Sequence, residues 1–350
     1  MSGRVIYAGF EFQQPMGGIR MLSQHVSMLV AAGVDAYRWS PTPGFRYTWF
    51  HDDVPTLSGL QIDLHADDTL VVPEIVVLPN RDYAPGGRVV IFSQTPHMHF
   101  LNCPDIDRYP GWDTEPSIWT VSRAGVELLS RTIPHLPPPQ LVLNPVDAEL
   151  FRPASRRVRS IAWMSRKRPM ESTLLSQLLR HDPRGAGVEL RDIRGLGHAE
   201  VARIMSDTSV FVALNAPEGE GFGLPVAEAM ASGCLVTGYP MDGGEELFEA
   251  PAAWPVYSQR VVDLADQALT LLDTPDQDEI RAAGRHWVTE RYNEKVTMDA
   301  LLGAVQAARS RPASAARATH PSAFHTEWSK VLIPGWIRDV SRGSSAPATA

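Results

Sequence analysis

The sequence predicts an α/β chain of two doubly wound parallel-sheet domains facing each other. Three observations carry that expectation. A length of 350 residues suits two domains. Short apolar runs alternate with helical patterns in two successive blocks. A glycine-rich turn within residues 218–233 joins an apolar run to a short helical segment in the second block. Apolar content of 44% allows a sizeable core in each block.

In the first block, residues 5–9 read as a strand. A helix is expected over 22–32, with Leu22, Val26, Leu29 and Val30 on one face and Gly33 as the stop. Gly17-Gly18-Ile19-Arg20 falls in the loop before that helix. Two glycines there let the backbone approach a ligand, and the helix N-terminus adds partial positive charge. Strands are expected at 36–39, 70–72, 75–78, 89–92 and 118–121, and a helix at 123–130. The proline-rich stretch 134–139 cannot continue a helix, and 141–143 closes the block.

Residues 156–160 read as a polar break between blocks. The second block then restarts with a strand at 161–164. A helix follows at 171–180 with Leu174, Leu175, Leu178 and Leu179 inward. Next come a strand at 188–190, a helix at 198–206, a strand at 210–214, the glycine-rich turn and a strand at 234–238. Helices at 261–272 and 280–309 end the block. The expected domains are 1–154 and 155–311. A connector at 312–340 is rich in Ala, Ser, Arg and Pro and contains the apolar stretch 324–340; a disordered tail covers 341–350.

The net charge of −8 argues against a nucleic-acid-binding surface. Two cysteines, Cys103 and Cys234, offer neither a disulfide framework nor a thiolate metal site, and Cys234 reads as a small hydrophobe. No apolar run reaches membrane-spanning length, and the N-terminus does not read as a signal peptide. The expectation is a cytoplasmic protein, with peripheral contact at the inner membrane surface left open.

The turn carries the chemistry. Glu220 and Glu228 bracket its glycines, Pro225 sits where a first helical residue belongs, and Gly233 where the helix should stop. Such a turn offers free backbone N–H groups to an anionic or polyhydroxyl ligand, with two acceptors aimed at hydroxyl groups. A generic glycine-rich turn is the plain alternative. A dinucleotide fingerprint fails on spacing, because its third glycine would fall at Leu224.

The stretch from Glu218 to Gly233 closely resembles the Glu-x7-Glu signature of retaining GT-B glycosyltransferases, family 4 in particular. The resemblance implies the GT-B fold: two Rossmann-like domains facing a central cleft, the first on the acceptor side and the second holding a nucleotide-sugar. It implies that Glu220 contacts the donor sugar and Glu228 the ribose hydroxyls. The backbone at Phe222, Gly223 and Leu224 would cradle sugar and phosphate. Gly17 and Gly18 resemble the family's N-domain glycine loop. Ser165-Arg166-Lys167-Arg168 stands where the family holds the diphosphate with an Arg and a Lys, although here the cations are adjacent. Arg166 is the first candidate, with Lys167 or Arg168 as the second charge. His97, with His99 as its alternative, lies where family members often carry a histidine near the donor sugar.

Three further segments resemble the family. Asn144-Pro145-Val146-Asp147, with Phe151 and Pro153, matches a structural segment before the hinge. Gly243-Gly244-Glu245-Glu246 matches a loop near the donor, its glutamates read as exposed. Tyr292-Asn293-Glu294-Lys295 matches a late helix boundary. In this fold the last helix often crosses back to the first domain, which is the reading for 324–340.

The implied activity is transfer of a sugar, hexosyl-type, from a UDP- or GDP-sugar to an acceptor hydroxyl, in polysaccharide or glycoconjugate biosynthesis. The acceptor is left open among a polysaccharide or other sugar, a lipid-linked sugar, a small molecule and a protein. In the family's mechanism the acceptor attacks on the face the diphosphate leaves, and a donor phosphate oxygen takes its proton. No cofactor and no protein-bound metal are expected. Asp105-Ile106-Asp107 and His51-Asp52-Asp53 are discounted as metal motifs. The aromatics Phe45, Tyr47, Trp49 and Phe50 line an acceptor pocket or belong to the core. The alternatives are a non-catalytic sugar-nucleotide-binding or assembly protein, and a sugar-nucleotide epimerase or phosphorylase. A glycogen-type phosphorylase would need a cofactor lysine, and neither Lys167 nor Lys295 has that context.

Overall fold

The computed structural model describes residues 3–76, 87–102, 116–275 and 277–312. The chain forms two compact units. Among the described residues, one comprises 3–76, 87–102, 116–119, 130–140 and 301–312, the other 120–129, 141–275 and 277–300. Cys103, the 105–107 triplet, the connector beyond residue 312 and the 341–350 tail lie outside the described residues.

The first sheet runs through β1 (Val5–Ala8), β2 (Ala36–Ser40), β3 (Thr56–Ser58), β4 (Thr69–Pro73), β5 (Arg88–Ser93), β6 (Ser117–Thr120) and β7 (Gln140–Leu141), in the order β3-β2-β1-β4-β5-β6-β7. Helices α1 (Gly17–Ala31), α2 (His99–Asn102) and α3 (Arg123–Thr132) connect them. β1 and β4 are buried at every position, as central parallel strands covered on both faces must be. β1 pairs in parallel with β2 on one side and β4 on the other. The winding therefore reverses between β1 and β4, a topological switch point where ligands bind open α/β sheets beyond the strand carboxyl ends.

Three expectations change here. α1 starts at Gly17, five residues early, so Gly17 and Gly18 are its first residues and not a loop. Met16, extended, accepts the N–H groups of Ile19 and Arg20 at 3.0 and 3.3 Å. The apolar periodicity does not show a first turn begun by two glycines. Val30 is 40% exposed, at the edge of the face that buries Leu22, Val26 and Leu29. The strand expected at 75–78 is a 3-10 turn over Glu74–Val76 as far as it is described. β3, three half-exposed residues beside β2, gave no apolar run to read.

A charged pair is built into this unit. The Arg38 and Asp52 side chains are fully buried and ion-paired. Arg38 also donates to Ser23 Oγ (2.8 Å) and Phe45 O (3.1 Å), and its guanidinium lies 4.7 Å from the Tyr47 ring centre. Asp52 accepts the Tyr47 N–H at 2.9 Å. Asp52 thus serves the core. Tyr47 is buried, and Phe45 and Phe50 pack on its ring at 5.0 and 5.2 Å. Removing one partner strands the other charge. Asp52→Ala is expected to cost about 3–5 kcal/mol in urea unfolding, and Asp52→Asn less, because an amide still accepts from Arg38.

The second sheet has the order β12-β11-β10-β8-β9 and is parallel throughout. Its elements are β8 (Val158–Trp163), α4 (Pro169–His181), β9 (Glu189–Asp192), α5 (His198–Asp207), β10 (Thr208–Ala213), α6 (Leu224–Ala231), β11 (Leu235–Gly238), β12 (Ala253–Pro255), α7 (Val261–Leu272), α8 (Gln277–Arg291) and α9 (Glu294–Arg309). Ile161, Val210, Val212, Leu235 and Leu264 are central to its core. β8 begins inside the expected polar break, since Ser160 is buried and Arg159 reaches out to Asp273 at 2.9 Å. On α4, Leu175 and Leu179 are buried and Leu178 packs partly buried against the same core, whereas Leu174 is 48% exposed: at about 100° per residue it falls at the outer edge of the face the other three form. The helix expected over 280–309 breaks in two, where Asn293 Oδ1 accepts the Val296 N–H (2.9 Å) and caps α9. Tyr292 O accepts the Val146 N–H at 2.7 Å, so the 144–147 segment and this break form one joint.

Candidate functional site

Three segments meet at the carboxyl end of the second sheet. β10 ends at Ala213 and the turn 218–223 leads into α6. Gly223 caps the helix in the left-handed region (φ 88°), which residues with a Cβ resist. Leu224 is the first helical residue, so Pro225 takes the second position, not the first. α6 is apolar and buried at nearly every position, with one exception in polarity: Glu228, 5% exposed. A carboxylate on a buried helix is costly unless hydrogen-bonded. His198 Nε2, at the first residue of α5, meets Glu228 Oε1 at 3.2 Å.

The second segment is 239–244. Gly243 N–H donates to Glu220 O at 2.9 Å, and Asn215 Nδ2 donates to Tyr239 O and Pro240 O at 2.9 and 3.1 Å. Met241 and Asp242 both have positive φ (52° and 48°), an uncommon conformation outside glycine that clusters at functional sites. A Cβ on Gly243 would lie 1.9 Å from Gly221 O and 2.6 Å from Ser122 Oγ. Gly243→Ala is therefore expected to displace the 218–223 turn, costing about 2 kcal/mol in thermal or urea unfolding; an unchanged midpoint contradicts this contact. Glu246, expected exposed, is buried: it accepts from Arg123 N and Nε, both at 3.1 Å, and from Tyr292 OH at 3.4 Å.

The third segment sorts three adjacent cations. Ser165–Lys167 forms a 3-10 turn. Lys167 Nζ contacts the Glu220 carboxylate directly. Arg168 turns inward and is buried. It donates to Asn215 O (2.6 Å) and Glu171 Oε1 (2.5 Å), with its guanidinium 4.7 Å from the Tyr239 ring centre. Lys167, not Arg168, supplies charge at the turn. Desolvation lowers the Arg166 pKa while Glu220 opposes that shift, although the side chain keeps exposed surface. Arg166, Lys167, Glu220, Phe222, Gly223, Leu224 and Glu228 thus share one region: two cations, two carboxylates and a glycine turn. Hollows of about 270 and 560 Å³ flank α4, and neither is lined by Glu220 or Glu228.

Gly17, Gly18 and His97 belong to the first unit, at its own sheet's carboxyl edge. Gln94 Nε2 donates to Gly18 O (3.0 Å) and Thr95 N–H to Glu74 Oε1 (2.7 Å). His97 sits half-buried in the turn Pro96–Met98. His99 is buried against Ser93 Oγ (2.9 Å), and burial lowers its pKa to about 3, so it is a core residue. Burial raises Glu74 to about 7. Glu74, Gln94 and His198 were missed in the sequence because each is defined by a partner 20 to 80 residues away, with no local pattern. Cys234 is buried, its thiol raised to about 11 by desolvation. Among the described residues, no three His, Cys, Asp or Glu side chains are grouped to hold a metal, and no helix is long and apolar enough to cross a membrane.

A family model described as "Glycosyl transferase-like" matches residues 165–303, less than half of the chain. An alpha-1,6-glucosyltransferase of Actinobacillus pleuropneumoniae serotype 7 (strain AP76) is 36% identical over 104 residues, 28% of this chain and 30% of that protein, so the match spans under a third of the relative. Among solved structures, sucrose-phosphate synthase from Thermosynechococcus elongatus superposes with a TM-score of 0.64 at 14% identity, covering 88% of this chain and 98% of that one. TarM of S. aureus, solved with fondaparinux, alpha-GlcNAc-glycerol and UDP, gives 0.52 at 12% identity over 69% of this chain and 56% of that one. The chain has the GT-B fold and carries a glycosyltransferase-like domain.

Proposed function

We propose that this protein is a retaining, family 4 glycosyltransferase that moves a sugar from a nucleotide-sugar to an acceptor hydroxyl. The observation that carries the reading is the Lys167–Glu220 contact beside Arg166, at a glycine turn that leads into the helix bearing buried Glu228. In this reading Glu228 accepts from the ribose hydroxyls and Glu220 from the donor sugar. The N–H groups at Phe222, Gly223 and Leu224 cradle sugar and phosphate. Arg166 and Lys167 stabilise charge growing on the departing diphosphate. The C1–phosphate bond breaks, the acceptor oxygen bonds C1 on the same face, and its proton passes to a donor phosphate oxygen. No protein nucleophile is used, so no glycosyl adduct on the protein is expected by mass spectrometry. Gly17 and Gly18, in the first unit, are the further donor-binding candidates of this reading, and His97 is its further catalytic candidate. The match to a glucosyltransferase and the UDP held by TarM support a UDP-hexose as the first donor to try.

The test is a thermal-shift panel of UDP-, GDP-, ADP- and TDP-sugars on wild type and Glu228→Gln. A ligand that binds only the folded state raises its melting point. One base should shift wild type, with a smaller shift in the variant. Equal shifts in both proteins would remove Glu228 from the site.

A further inference from the structure

We infer that His198 is a positioning residue for nucleotide recognition: it holds the Glu228 carboxylate in the orientation that meets the ribose hydroxyls. The inference rests on the proposed nucleotide site. Three observations carry it. The Glu228 and His198 side chains are 6% and 15% exposed, so their contact is shielded from competing water. A carboxylate only accepts hydrogen bonds, so His198 Nε2 must carry the proton it shares with Oε1 at 3.2 Å. The ring is held in turn by Phe151, which is fully buried and meets it edge-on with centroids 5.0 Å apart.

The placement explains why a histidine suits this position. Residue 198 opens α5 and residue 228 lies in the middle of α6; the imidazole spans the two helices. A glutamate on a helix otherwise samples several rotamers, each paying its own ordering cost when a ligand binds. A donor anchored on the neighbouring helix selects one rotamer before the ligand arrives. It occupies one acceptor position of the carboxylate. Partners that orient a metal-ligating side chain change metal affinity about 10-fold to 100-fold when removed, and an effect at the low end of that range is expected here. Such partners act through the ligand group that the oriented side chain contacts, and through no other.

That restriction separates positioning from mere packing. The experiment is isothermal titration of wild type, His198→Ala, His198→Gln, Glu228→Gln and the Ala/Gln double variant with UDP, GDP and their 2′-deoxy counterparts. Melting curves monitor folding. For whichever ribonucleotide binds wild type, His198→Ala should weaken binding about 10-fold. His198→Gln, whose amide N–H can replace Nε2–H, should recover to within about 3-fold of wild type. The loss should shrink for the 2′-deoxy nucleotide, which offers Glu228 one hydroxyl in place of two. In the double variant the two losses should not add, as coupled neighbours do not. In steady-state assays His198→Ala should raise the donor KM and leave kcat within about 2-fold. An equal loss for ribo- and deoxyribonucleotide overturns the inference while leaving the site intact, as does full additivity. Should wild type bind neither nucleotide, or Glu228→Gln bind as tightly as wild type, the nucleotide site itself fails and this inference with it.

Discussion

Glu220→Gln is expected to lower the transfer rate by about 10²–10³-fold while leaving affinity for the bare nucleoside diphosphate within about 2-fold of wild type. Gln keeps the size of Glu and loses its charge. The Lys167 ammonium, in contact with the carboxylate, then faces a neutral amide. Arg166, which is exposed, loses the nearby anion that favours its charged form. Two cations without their counter-ion hold a diphosphate at least as well, so nucleotide binding survives. Under the proposed function, what is lost is the acceptor that orients the sugar and balances positive charge developing at C1. Lys167→Ala should also slow transfer, and the double variant should fall no further than the worse single change, because the two side chains form one unit. The measurement is kcat and KM for the donor found in the thermal-shift panel, with product inhibition by the nucleoside diphosphate. A Glu220→Gln enzyme within fivefold of wild type would remove Glu220 from the chemistry.

Acid is expected to unfold the first unit first. His25 and His99 are both fully buried, and desolvation lowers each pKa from 6.5 to about 3. In the unfolded chain they take up protons near pH 6.5; in the folded chain they do not until about pH 3. Their contribution to stability is therefore present above pH 6.5 and is lost as the pH falls towards 3. Buried Glu74 works the other way. Its pKa is raised from 4.5 to about 7, so its contribution is present below pH 4.5 and is lost as the pH rises through 7. Between pH 6.5 and 4.5 the unfolded state binds two histidine protons against one held by Glu74 in the folded state. The net slope is one proton, about 1.4 kcal/mol per pH unit, and it doubles below pH 4.5. The Arg4–Asp68 pair, whose carboxyl pKa is lowered, steepens the acid limb. Urea midpoints from pH 8 to pH 4 test this. Glu74→Gln should steepen the fall between pH 7 and 5, and His99→Phe should shallow it. A flat profile between pH 7 and 5 would contradict the burial of these three groups.

The readable parts of this protein were those set by short-range chemistry. The 218–233 turn announces itself because a left-handed cap at Gly223, a proline in the first helical turn and two carboxylates eight residues apart are all local requirements. Continuous apolar runs likewise gave β4, β5, β10 and β11, because central parallel strands are buried on both faces. The sorting of Lys167 from Arg168 was illegible, since adjacent residues of one charge diverge only when a 3-10 turn sends one to Glu220 and the next under Asn215. Leu174 misled because composition does not show which of four leucines faces the sheet. Glu246 misled because its partners, Arg123 and Tyr292, lie far off in sequence. His198 gave no signal, being an unremarkable histidine until α6 is placed beside α5.

The borders of the two sheets have a consequence for solution behaviour. Among the described residues, β3, β7, β9 and β12 are the outermost strands, and they span three, two, four and three residues. β12 ends in Pro255, which has no N–H to offer, and three of the four residues of β9 are charged, with Arg191 held to Glu189 and Asp207. A strand arriving from another molecule would gain few hydrogen bonds and would have to break these ion pairs. Short, charged or proline-ended borders are how sheets resist edge-to-edge aggregation. The apolar runs that make the central strands so legible are the same runs most prone to self-association, and the fold keeps them from the rim.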